Sequence, residues 1–126
     1  MTTAKAIRER FERETGDRLT IHRIRQRGLA DFDTLDAGKL EDKHGRFSIG
    51  VFPDAARARR ERLLREPRDP DEHGVGWERV DDDHRANQAG WIATKVYGHV
   101  QLQWFTGEQT LDERWQLLDR VLSSPS

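Results

Sequence analysis

The chain has 126 residues, with 22 Lys and Arg against 23 Asp and Glu, so its formal net charge is −1. Its 27 Leu, Ile, Val and Phe residues, four Trp and one Tyr allow one small core and not two. No apolar run approaches the ~18–20 residues a membrane-crossing helix requires. The absence of Cys excludes a disulfide scaffold or thiolate zinc site, and the balanced charge argues against a strongly electrostatic nucleic-acid binder.

In chain order, Thr3 is placed to cap a helix over 4–14, with Ala4, Ile7 and Phe11 on one face and Gly16 ending it. Leu19 and Ile21 alternate with polar neighbours as a short strand whose phase slips at Ile24. Leu29, Phe32 and Leu35 follow at intervals of three, which suits a short helix or packed turn. After a loop over 36–45, Phe47, Ile49 and Val51 mark a clear strand to Phe52. Pro53-Asp54 then starts a helix to about Glu66, ended by Pro67 and Pro70. Residues 67–74 and 81–90 read as polar loops on either side of a strand over 75–80. Trp91–Val96 and His99–Phe105 form a hairpin, with Val100, Leu102 and Trp104 alternating against His99, Gln101 and Gln103. Thr110-Leu-Asp-Glu113 has capping-box spacing, and Leu111, Trp115, Leu118 and Leu122 form one stripe of a final helix before a frayed tail over 123–126.

A weak internal echo accompanies this order. Gly45-Arg-Phe-Ser-Ile-Gly-Val-Phe52 lines up with Gly98-His-Val-Gln-Leu-Gln-Trp-Phe105, each followed by a turn and a helix carrying Glu-Arg. It reads as two strand-then-helix units of one pattern, with chance as the alternative because two units do not establish a repeat. The expectation is one α+β domain over 1–126: an antiparallel sheet of four to five strands with three helices packed mainly on one face. The other sheet face is expected to be wet or occupied by a partner.

Ala6-Ile-Arg-Glu-Arg-Phe-Glu-Arg-Glu-Thr-Gly-Asp17, Gly45-Arg-Phe-Ser-Ile49 and Trp91-Ile-Ala-Thr-Lys-Val-Tyr-Gly-His-Val100 are similar to segments of a group of small uncharacterised actinobacterial proteins, many of them lipoproteins. The resemblance rests on structural patterns and implies no activity. This chain departs from the lipoprotein members in having neither an export signal nor a Cys to carry lipid. It therefore reads as cytoplasmic as written, or as exported with a signal segment removed.

The candidate sites are few. Trp77, Trp91 and Trp104 lie on three consecutive strands and are either core or a partner groove. His99, Gln101 and Gln103 face away from the core, exposed to solvent or, if covered, in need of polar partners. Glu72, His73, Asp83 and His84 are the best metal set, although no helical His-Glu-x-x-His spacing exists and turn residues are commonly acidic. Asp31, Asp33 and Asp36 superficially match a calcium loop but lack its Gly and closing Glu. Arg57, Arg59 and Arg60 give the middle helix a positive surface, either for nucleic acid or as an ion-paired solvent face. There is no nucleophile elbow or phosphate-cradling Gly loop, and Ser48 sits in a strand. The reading that results is a non-enzymatic binding domain for a protein partner or a second copy of itself, without cofactor or membrane insertion. The alternative is a small-molecule-binding domain or small enzyme with a pocket between sheet and helices.

Overall fold

Helix α1 spans Ala4–Thr15. Its start is fixed by Thr3, whose Oγ1 accepts the Ala6 N–H at 3.1 Å, and its end by Gly16, which turns left-handed at φ 79°. The Gly16 N–H then donates to Glu12 O at 2.8 Å. These are findings of a computed structural model that describes residues 3–25, 27–28, 31–37, 46–60, 70–83, 88–106, 109, 111 and 113–123.

The remaining elements are β1 (Thr20–Ile24), β2 (Phe32–Ala37), β3 (Arg46–Val51), α2 (Ala55–Arg60), β4 (Gly76–Asp83), β5 (Gln88–Tyr97), β6 (Val100–Thr106) and α3 (Glu113–Ser123). All six strands join one antiparallel sheet in the order β1-β2-β3-β6-β5-β4. The chain is therefore α+β, with one strand more than four to five. The additional strand is β2, where the three-residue spacing of Phe32 and Leu35 suggests a helix or turn. Strand neighbours alternate faces, so residues three apart point to opposite sides. Phe32 and Leu35 duly enter two separate apolar clusters. A sheet covered on both faces removes the period-2 signal.

On one face, α1 and α3 meet the main core. Phe47, Ile49 and Val51 of β3 stand opposite Trp104, Leu102 and Val100 of β6, with Leu35, Ala93, Ile7, Phe11, Trp115 and Leu118 around them. Phe47 and Trp104 stack at 5.6 Å with planes 1° apart, and Trp115 meets Trp104 edge-on at 6.0 Å. Arg114 lies over both rings of the stack, its guanidinium 5.0 Å from Trp104 and 5.8 Å from Phe47. On the opposite face, α2 packs against β6, and Ala58, Phe32 and Phe52 form a smaller cluster. One helix thus crosses to the face that the sequence leaves open.

Several boundaries shift. The polar loop expected over 81–90 is shorter, because β4 extends to Asp83 and β5 begins at Gln88. The distal part of the 53–66 helix, the Thr110 of the capping box and residues 124–126 lie outside the described residues, while Ser123 closes α3. The 67–74 loop is described from 70 onward. There Asp71 N–H donates to Val75 O at 2.8 Å and Gly74, at φ 78°, donates to Asp71 O at 2.9 Å.

Candidate functional site

The two edges of the sheet differ. After Gly16 the chain is steered by Leu19, whose buried side chain joins the core and whose N–H donates to Glu12 Oε1 at 3.0 Å. β1 then pairs with β2 alone, so its outer row of N–H and C=O groups has no strand partner among the described residues. Of its side chains, Thr20, His22 and Arg23 are exposed. Ile21 is half-buried against the main core and Ile24 against the smaller cluster. The strand contains no Pro and no bulge, two devices that commonly blunt an edge.

The opposite edge, β4, is guarded. Its register breaks between Val80 and Asp83, and the acidic run Asp81-Asp82-Asp83 lies in that break. An irregular edge resists strand addition, and a regular one invites it.

Polar side chains beside β1 are tied together. Arg23 Nε lies 2.9 Å from Asp33 Oδ1, Ser48 Oγ donates to Asp36 Oδ1 at 2.7 Å, and His22 Nε2 lies 3.8 Å from Asp36 Oδ2. Asp33 and Asp36 stand on opposite faces of β2, each with its own partner, so they do not converge as calcium ligands. Ser48 donates to the Asp36 carboxylate from within β3, tying that strand to β2.

The expected aromatic and amide site is divided. Trp104 is buried at 1% exposure, as a core residue. Trp77 and Trp91 are half-buried. Trp77 and Trp104 flank Ala93 on adjacent strands, which separates them by two strand spacings, roughly 10 Å. Gln101 and Gln103 do face away from the main core, but they are covered rather than wet, at 0% and 4% exposure. The Gln101 amide donates to Ala58 O at 3.3 Å, so α2 supplies its partner. Gln103 Nε2 has no hydrogen-bond partner among the described residues. His99 lies half-buried in the β5–β6 turn, where its carbonyl accepts the Phe52 N–H at 2.8 Å.

Neither alternative set is brought together among the described residues. Arg57 is not on a solvent face: it is 5% exposed, with its guanidinium 5.5 Å from the centre of the Phe32 ring. The side chains of Arg59 and Arg60 lie outside the described residues. For the metal set, Glu72 and His73 are an exposed pair 3.5 Å apart just before β4, while Asp83 ends that strand. At about 3.3 Å per residue, the length of β4 puts them roughly 20 Å apart. His84 lies outside the described residues, and among the described residues no group of three or more His, Asp and Glu could hold a metal ion.

One cluster escaped the sequence reading. Lys95 Nζ and the Tyr97 hydroxyl both reach Asp119 Oδ1, at 2.7 and 2.5 Å, joining β5 to α3. Burial works to raise the Asp119 pKa, but hydrogen bonds from Lys95 and Tyr97 and the charges of Lys95 and His73 outweigh it, holding the carboxyl below its ordinary 3.8. Burial, then the bond to Asp119 and its charge, push the Tyr97 phenol well above its ordinary 10.0. In the adjoining turn, amide donors from Val75 and then His73 hold the Asp71 carboxyl low despite some burial. Lys95 and Tyr97 are two apart on a strand and so share a face, but nothing in sequence marks Asp119, which sits beside the apolar stripe of α3. The arrangement fastens helix to sheet.

No family model, no curated protein and no solved structure matches this chain. Among the described residues no helix is long and apolar enough to cross a membrane.

Proposed function

We propose that this chain is a non-enzymatic binding domain that takes up an extended segment of a partner protein along β1. The observation that carries this reading is the asymmetry of the sheet edges: β1 is regular, exposed at Thr20, His22 and Arg23 and paired with β2 alone among the described residues, while the register of β4 breaks at an acidic run. In strand addition, main-chain hydrogen bonds supply affinity and alternate side chains supply selectivity. Ile21 and Ile24 offer an apolar contact on each face, and Thr20, His22 and Arg23 offer polar ones.

Amide hydrogen exchange on the whole chain, with and without a panel of short extended peptides, tests it. Binding protects outward-facing amides of β1 and leaves β4 unchanged. Protection confined to another surface, or none with any peptide, overturns the reading.

A second reading, a site for a small polar molecule on the α2 side of the sheet, is favoured by the buried, unpartnered amide nitrogen of Gln103. A thermal-shift screen of small carboxylates and amides tests it: a stabilising compound whose effect vanishes in Gln103→Leu supports it.

A further inference from the structure

We infer that the segment taken up along β1 is acidic, belonging to a partner protein in which Asp and Glu side chains flank a short apolar centre; this rests on the strand-addition reading above. The ten residues from Arg18 to Arg27 contain four Arg, one His and no Asp or Glu, in a chain whose overall charge is nearly balanced. Arg23 is already engaged by Asp33 at 2.9 Å. Arg18, Arg25 and Arg27 are exposed and make no ion pair with a described carboxylate. They flank β1 at its two ends: Arg18 precedes Thr20, and Arg25 and Arg27 follow Ile24.

The nearest acids do not cancel this edge. Asp17 and Asp31 sit beyond the two ends of the strand, and Asp33 and Asp36 lie one strand further in with partners of their own. A strand added to β1 therefore runs between guanidinium groups that have no ion pair among the described residues, and guanidinium groups fork readily onto carboxylates. Along its length it meets Ile21 on one face and Ile24 on the other. Period-2 alternation in the occupant puts consecutive side chains on opposite faces of the sheet, so a segment with consecutive apolar residues at its centre and acidic ones at its ends matches an apolar contact on each face and basic flanks.

Fluorescence anisotropy with the full chain at low salt tests the inference. The probes are labelled peptides of about ten residues, long enough to span β1 and its flanks: one with Val at its centre and Glu at both ends, one with Lys in place of Glu, and the Glu peptide with alternate backbone nitrogens methylated. The Glu peptide binds about tenfold more tightly than the Lys peptide, and the triple substitution Arg18→Gln, Arg25→Gln, Arg27→Gln removes about that factor without lowering the melting temperature. Added salt weakens the interaction in the same proportion.

Equal binding of the Glu and Lys peptides, with the methylated one inactive, overturns the charge inference and leaves strand addition standing. Full binding of the methylated Glu peptide, still lost in the triple variant, overturns strand addition while the charge preference stands. A single-stranded oligonucleotide that outcompetes the Glu peptide overturns the inference in favour of a nucleic acid. Self-association by sedimentation that disappears in the triple variant overturns it in favour of a second copy.

Discussion

Ile49 of β3 and Leu102 of β6 stand directly opposite each other at the centre of the sheet, and both are fully buried. The offset that carries Ile49 to Leu102 also carries Phe47 to Val100 and Val51 to Trp104, and those residues are paired crosswise: Phe47 with Trp104, Val51 with Val100. The two echoing segments are thus related by a local two-fold rotation through the Ile49–Leu102 pair, perpendicular to the sheet. The relationship ends with the helices. α3 returns over the face of Leu118, Trp104 and Phe47, while α2 crosses to the face of Phe52 and Gln101.

This central position makes Leu102→Ala a severe substitution. Removing a fully buried Leu costs about 2–5 kcal/mol, a large share of the ~5–15 kcal/mol that holds a domain folded. Urea denaturation is expected to show the unfolding free energy fall by that amount, as a lower midpoint at unchanged slope. A loss under 1 kcal/mol contradicts the close packing of this core.

The Lys95–Tyr97–Asp119 cluster confers a pH dependence at both extremes. Asp119 ionises below its ordinary 3.8 in the folded state, so its contribution is complete above that value and is lost as pH falls through the folded one. The Tyr97 phenol is raised above 10.0, so its contribution is complete below pH 10 and fades as pH rises toward its folded value. Tyr97 is the only Tyr in the chain, so ultraviolet difference titration reads it alone. Phenolate absorbance is expected only well above pH 10 in the native protein, and at lower pH in Asp119→Asn, which removes the charge and leaves only a weaker, neutral acceptor but keeps the burial. The same variant is expected to lose about 1 kcal/mol at neutral pH, a difference that vanishes in acid.

Arg57 tests the difference between a surface charge and a buried stem. Because its side chain is buried over Phe32, Arg57→Ala is expected to lower stability by about 1–2 kcal/mol through lost packing and cation–π contact. Thermal melting checks this. An unchanged melting temperature, accompanied by weakened binding to a nucleic acid, contradicts the buried position.

Gln103 and Gln101 are expected to respond oppositely to replacement by Leu. Gln101 satisfies the Ala58 carbonyl, and its loss leaves a buried acceptor without that donor, costing about 1–3 kcal/mol. Gln103 Nε2 has no partner to lose, so Gln103→Leu is expected to be neutral or mildly stabilising. Equilibrium unfolding of the two variants side by side reads the contrast.

Where one apolar stripe faces one core, periodicity alone locates the element: α1 through Ala4, Ile7 and Phe11, β3 through Phe47 and Ile49, β6 through Leu102 and Trp104, and α3 through Trp115, Leu118 and Leu122. The same reasoning fails at β2, where Phe32 and Leu35 serve two cores at once. It fails again at Gln101, Gln103 and Arg57, polar side chains that only the crossing of α2 to the second face explains. Propensity and alternation belong to a segment of chain and can be read from its own residues. Burial, edge position and the meeting of Lys95 with Asp119 belong to pairs of segments distant in sequence, and packing of the whole chain decides them.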